Sequence, residues 1–164
     1  MPHGFDFKLV GRKYETMSLT VEQLLRTSLT LEKALGALNS LGTVGLDEDQ
    51  IVSFDLYRNA AIKSFELSLE TTGKLLRKAL KQYSASPRSV DSLVFNDLFR
   101  HAGKHGLLDE AGVSRWIGYR SNRNETAHDY GVAFANETLA LLPGYLKDVR
   151  DLASKIQGVF DAAA

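Results

Sequence analysis

Apolar residues recur at steps of three and four along most of this chain, and this spacing predicts helices. Thr20 followed by Gln23 fits a capping box, so a first helix is expected to start near Ser18–Thr20. Leu24, Leu31, Leu35 and Leu38 then follow at helical spacing, with Leu25 beside them, until Gly42 and Gly45 break the pattern. A long second helix is expected from about Asp49 to Gln82. Phe54, Tyr57, Ala61, Phe65 and Leu69 form its apolar stripe, and Leu76, Leu80 and Tyr83 extend it. Gly73 interrupts this helix at a cost of about 1 kcal/mol relative to alanine. Pro87 closes the segment.

A third helix is expected from about Ser89 to His101, with Val90, Val94 and Leu98 aligned and Gly103 and Gly106 at its end. A fourth begins near Asp109 and carries Val113, Trp116 and Ile117 toward Arg123. Gly131 marks a break. The last helix is expected from about Asn136 to Phe160, through Leu142, Leu146, Val149, Leu152, Ile156 and Val159. Pro143 should kink or restart it, because proline lacks the donor and crowds the preceding turn. No segment alternates with period two, so no sheet is expected. The pattern predicts an all-α antiparallel bundle of about five helices. Trp116 and the stripe through Phe54, Tyr57, Phe65 and Leu69 read as core. Residues 1–17 show no period and read as an N-terminal arm or a tag remnant, leaving 18–161 as one helical domain.

Composition narrows the function. The 164 residues include 20 basic and 20 acidic side chains, so the formal net charge is zero. A protein that coats nucleic acid usually has a basic excess, so any such contact here must be local or built by assembly. With no cysteine, disulfides and thiolate metal sites are excluded. No apolar run reaches the roughly 18 residues of a membrane span, and no signal-peptide pattern opens the chain. A cytoplasmic protein is expected.

The stretch Arg123-Asn124-Glu125-Thr126-Ala127-His128-Asp129-Tyr130 carries the densest candidate chemistry. Arginine offers a planar fork of donors to phosphate, and histidine moves protons near neutral pH. RNA is cut without metal when its 2′-hydroxyl attacks the adjacent phosphorus. That reaction needs a base, an acid and a cation for the crowded phosphate. His128 could be base or acid, Arg123 the cation, and Asn124 a neutral hydrogen-bond donor. One histidine cannot play both proton roles at once, whereas a twofold dimer brings two. Arg123 and His128 are five residues apart, which separates them by roughly 140° on an ideal helix. Either the helix ends near Thr126 or the productive pair forms between subunits. Taken by themselves, the same residues read more readily as a solvated charge cluster at a helix end.

Arg115, Arg120 and Arg123 could form a phosphate-facing ridge or a solvated face. His101 and His105, four residues apart with Asp97 four earlier, have a metal-like spacing. Their place at a glycine-rich helix end, where cations complement the dipole, argues against a metal site, and no cofactor is expected.

Arg123-x4-His128-x-Tyr130 resembles the RX4HXY motif of HEPN toxins of the HepT type, also described as nucleotidyltransferase substrate-binding proteins. The segment Arg58 to Glu70, with Phe65-Glu66 and Glu70 one turn on, is similar to that family's long second helix. The family often has tryptophan and then lysine afterward, where this chain has Gly73 and Lys74. Pro143-Gly144-Tyr145-Leu146 resembles its proline-initiated last helix. The resemblance covers roughly residues 18–160. It implies a HEPN-like homodimer and a metal-independent RNA endonuclease that acts as a toxin. Its antitoxin would be a minimal nucleotidyltransferase (MNT) that transfers AMP to the motif tyrosine. By position, Arg123 and His128 would be catalytic, Asn124 and Arg120 supporting, and Tyr130 the AMPylated residue. The alternative is a non-catalytic subunit presenting a nucleotide or other substrate to the nucleotidyltransferase.

Overall fold

The computed structural model describes residues 19–126 and 132–164, and side chains within them except those of 124–126 and 132–135. The elements are α1 (Val21–Leu41), α2 (Glu48–Leu80) with a 3-10 turn at Lys81–Tyr83, α3 (Pro87–Asp91), α4 (Phe95–Lys104), α5 (Glu110–Thr126) and α6 (Val132–Ala163). The described residues contain helices and no strand, as the periodicity predicts.

The start signals act as read. Thr20 and Gln23 form the full capping box of α1. Asp47 and Gln50 form a second one at α2, which the sequence reading missed. Each satisfies two backbone donors that would otherwise lack partners. Leu24, Leu31 and Leu38 are buried along α1. In α2 the buried face runs through Ala61, Phe65, Leu69, Leu76 and Leu80. The loop between α1 and α2 is short, so the two helices pack as an antiparallel hairpin, and α6 lies against both.

Three expectations need correction. Tyr57 is not core: it is 37% exposed, while Phe54 only packs partly against the core. The buried face becomes continuous only from Ala61 onward.

The segment Ser89–His101 is two helices, not one. Val90 and Leu98 are buried, but Val94 is 65% exposed and extended as the N-cap of α4. Arg77 of α2 donates to the carbonyls of Val90, Asp91 and Leu93. The Val90 carbonyl also accepts from the Leu93 backbone N–H at 3.2 Å, and the guanidinium adds a tie from α2 to the carbonyls where α3 stops.

Finally, α6 begins at Val132 and runs through Pro143 as one helix. Proline removes one backbone bond and costs about 3 kcal/mol in a helix interior. Leu142, Tyr145 and Leu146 are buried on either side of it. Packing of these side chains offsets the loss.

The core between α2, α4, α5 and α6 is aromatic. Phe95 stacks on Phe99 at 4.5 Å, and Phe99 on Trp116 at 5.0 Å. Trp116 meets Tyr119 and Tyr145 edge-on at 5.5 and 5.6 Å. Tyr145 meets Phe65 edge-on at 4.8 Å. Offset and edge-to-face contacts of this kind fix relative orientation as well as burying area. Among the described residues, no helix is long and apolar enough to cross a membrane.

Candidate functional site

Arg123 sits in the last turn of α5, and the geometry around it begins with how α5 and α6 are joined. Arg115 Nε and Nη2 donate to Asp148 Oδ2 and Oδ1 at 2.7 and 3.0 Å. Tyr119 Oη donates to Asp148 Oδ2 at 2.7 Å. Further along, Thr138 Oγ1 donates to Asn122 Oδ1 at 3.2 Å. The partners lie 33, 29 and then 16 residues apart in sequence, so the bonds close an antiparallel hairpin toward the stretch that joins α5 to α6.

Asp148 is the hub of this clamp. Burial works to raise its carboxyl pKa, but the hydrogen bonds from Arg115 and Tyr119 outweigh burial and hold it below the ordinary value. The Tyr119 phenol is pushed well up, by burial first and then by the bond to Asp148. Its neighbour Tyr145 is also pushed up by burial and shares a 2.7 Å hydrogen bond with Ser68. The clamp answers the question left by the three arginines. Arg115 is committed to Asp148, so it is not part of a phosphate-facing ridge.

Arg120 lies with its guanidinium carbon 5.1 Å from the centre of the Phe95 ring, an attractive cation–π placement. Phe95 in turn rests on α2 at Gly73: a Cβ added there would lie 3.4 Å from Phe95 Cε2 and 3.6 Å from Cδ2. Phe95 therefore occupies space beside the position where the resembled family often has tryptophan. One residue on, Lys74 Nζ pairs with Glu70 Oε1 at 2.8 Å. The hydrogen bond from Lys74 holds the Glu70 carboxyl below the ordinary range, and the charges of Arg123 and Lys63 act in the same direction. Lys63 itself pairs with Glu66 at 3.6 Å.

Of the residues picked from sequence, Arg120 is thus seated on Phe95 beside α2, and Arg123 lies three residues on in the last turn of α5. Asn124 lies on α5, with its side chain outside the described residues. His128 and Tyr130 also lie outside them. His101 and His105 have ring centres 5.8 Å apart, and His105 stacks on Tyr83 at 4.9 Å. Among the described residues, no group of three or more His, Cys, Asp or Glu is placed to hold a metal ion.

Sequence reasoning missed Asp148 and Phe95. A signal for Asp148 was present: it falls three residues after Tyr145 and four before Leu152, a carboxylate on the apolar stripe. Nothing in one sequence pairs Phe95 with Gly73 or with Arg120, because these contacts are set by helix packing.

This architecture defines an all-helical bundle in which α5 and α6 form a clamped hairpin that carries the motif arginine at its end. The chain belongs to the family described as nucleotidyltransferase substrate binding protein like, whose model matches residues 28–158. The HepT-type kinship read from the motif residues is borne out. The chain is 30% identical over 86 residues to a Haemophilus influenzae protein named probable ribonuclease HepT. That match covers 52% of this chain and 58% of the relative, so it spans little more than half of that protein's length.

The fold is also similar to a solved Haemophilus influenzae structure, described as revealing the fold of a substrate binding domain of a nucleotidyltransferase. The TM-score is 0.72 at 22% identity, covering 84% of this chain and 99% of that one. A crystal structure from Thermus thermophilus is similar with a TM-score of 0.53 at 25% identity, covering 77% of this chain and 98% of that one.

Proposed function

We propose that this chain is the toxin of a HEPN/MNT toxin–antitoxin pair: a cytoplasmic, metal-independent RNA endonuclease that works as a homodimer. The observation that carries the reading is the relative named probable ribonuclease HepT, taken with the string Arg123-x4-His128-x-Tyr130 in this chain. In the proposed reaction the RNA 2′-oxygen attacks the adjacent phosphorus. The bond to the 5′-oxygen breaks, leaving a cyclic phosphate and a free 5′-hydroxyl. A His128 in one subunit takes the 2′-hydroxyl proton, and its twofold mate protonates the leaving oxygen. Arg123 offsets charge on the phosphate, where preorganised donors act most strongly. Asn124 and Arg120 assist binding. The nucleotidyltransferase antitoxin silences the site by joining AMP to the Tyr130 oxygen. This adds bulk and negative charge beside the phosphate position.

The test is RNA cleavage by purified, unmodified protein in the presence of a chelator. Cleavage is expected, with loss in His128→Ala and an unchanged helical circular dichroism spectrum. Undiminished cleavage by that variant overturns the site. Intact mass with and without the antitoxin and ATP reads the adduct, and Tyr130→Phe should abolish it.

The family description, which speaks of substrate binding to a nucleotidyltransferase, favours a second reading: a non-catalytic subunit presenting a nucleotide or other substrate. Tight nucleotide binding without any RNA cleavage by unmodified protein would select it.

A further inference from the structure

His101 and His105 stand at the end of α4, and the proposed reaction uses neither ring. The last turn keeps its helical register: the His105 backbone N–H donates to the His101 carbonyl at 3.2 Å. Residues four apart on a helix are neighbours on one face. Here the two ring centres are 5.8 Å apart, with their planes tilted by 41°. His105 is exposed and His101 half-buried. Among the described residues, neither ring has a hydrogen-bond or ion-pair partner.

The spacing suits a shared ion. With a metal–nitrogen distance of about 2.0–2.1 Å, each ring centre stands roughly 3.2 Å from the metal, so a tetrahedral pair has ring centres about 5.2 Å apart. The observed 5.8 Å exceeds this by about 0.6 Å, which a small side-chain rotation closes. Tyr83, in the 3-10 turn after α2, stacks on His105 at 4.9 Å and 16°. Stacking occupies the faces of the imidazole and leaves the nitrogens on its edge open. It also restricts the ring before an ion arrives, which lowers the ordering cost of binding.

The electrostatic setting is mixed but favourable. The C-terminal end of a helix is the negative end of its dipole, and it suits a bound ion as well as a charged side chain. Lys104, in the same turn, opposes a cation. It is exposed, so its flexible stem can carry the ammonium away into water. Asp97, one turn earlier, is tied to Arg100 at 2.8 Å. Among the described residues, no group of three His, Cys, Asp or Glu forms here, so water completes the shell.

We propose that His101 and His105 form a two-imidazole site for a divalent transition-metal ion of the zinc, copper and nickel class, which imidazole suits. Two protein ligands make an exchangeable site, since structural zinc takes four. The site is remote from the motif arginine. A Cβ at Gly103 would lie 2.9 Å from Val113 Cγ2, so the end of α4 lies beside Val113 of α5. Arg123 is ten residues farther along α5, roughly 15 Å at 1.5 Å per residue. An ion here therefore takes no part in the metal-independent cleavage proposed above, and the two readings stand or fall separately.

The test is titration of the full-length protein with zinc chloride at neutral pH, read by calorimetry and by the imidazole ring resonances. One ion per chain should bind and move the His101 and His105 resonances, and magnesium chloride should do neither. His101→Ala and His105→Ala should each weaken binding by at least about 10-fold. His105 is exposed, so its variant keeps the helical circular dichroism spectrum even where loss of His101 loosens the turn. His3→Ala and His128→Ala should bind zinc as wild type does. Undiminished binding by His105→Ala overturns the proposal, as does loss of binding in His3→Ala or His128→Ala. So does the lack of saturable binding by about 1 mM zinc, or binding that leaves both ring resonances unmoved.

Discussion

Replacing Asp148 by alanine removes the acceptor on which the Arg115 and Tyr119 donors converge. Its side chain is 10% exposed, whereas that of Arg115 is 50% exposed. The two partners should therefore respond differently. The Arg115 guanidinium can return to water, so its half of the loss is that of a largely exposed pair, about 0–1 kcal/mol. The Tyr119 hydroxyl belongs to a residue 6% exposed and is left buried without its acceptor. That costs about 1–3 kcal/mol. A total of roughly 1–4 kcal/mol follows from the two contributions. For a domain of this size each kcal/mol lowers the melting temperature by about 2–4 °C. Asp148→Ala should thus melt roughly 2–16 °C below wild type by far-ultraviolet circular dichroism, with a matching fall in urea midpoint at an unchanged slope.

The pH dependence gives a second check with a definite sign. The folded-state pKa of Asp148 lies below its ordinary value, so its charge stabilises the fold above the unfolded pKa of about 3.9. That contribution disappears as pH falls through the folded value. The gap between wild type and Asp148→Asn should be constant from about pH 5 to 8 and shrink in acid below about pH 4. A destabilisation under about 0.5 kcal/mol for Asp148→Ala, the range of ordinary surface substitutions, would refute the clamp. A gap that widens in acid would refute the charge assignment.

Three further substitutions test the packing beneath the site. Tyr145→Phe deletes the hydroxyl bonded to buried Ser68 at 2.7 Å and should cost about 1–2 kcal/mol in urea denaturation; no loss would mean that this bond adds nothing net. Gly73→Ala should be neutral or stabilise by up to about 1 kcal/mol, since the added Cβ meets Phe95 at ordinary contact distance and helix propensity improves. Gly73→Trp should instead displace Phe95 and destabilise the fold, measured in the same denaturation experiment.

Most of the helical frame was legible because it follows from local rules. The Thr20–Gln23 box, the glycine breaks and the Leu24–Leu31–Leu38 stripe each depend on near neighbours, and each lies where the spacing puts it. Where expectation and structure differ, packing between elements adds to spacing. Val90, Val94 and Leu98 keep helical spacing, but Arg77, 13 to 16 residues earlier, donates to the carbonyls at the break between α3 and α4. Tyr57 continues a stripe by spacing, while burial along α2 deepens only farther on, from Ala61. At Pro143 the helix does not restart, and Leu142 and Tyr145 are buried beside it.

The same division runs through the candidate site. Its reactive string could be picked out because Arg123, His128 and Tyr130 sit within eight residues, and a motif is a local pattern. What seats Arg120 is not local: Phe95, whose ring its guanidinium faces, is 25 residues earlier. Phe95 carries no signal that marks it out from other core aromatics. With 20 cations and 20 anions overall, the attraction for RNA that the proposed function requires cannot come from net charge; it must come from how pairs are arranged. Arg115 is neutralised by Asp148 in the α5–α6 clamp, whereas Arg120 is seated on Phe95. Loss of Asp148 and loss of Arg120 should therefore separate experimentally. The first lowers stability through α5–α6 packing. The second leaves stability within about 1 kcal/mol of wild type, the scale of a cation–π contact, and under the proposed function weakens RNA binding.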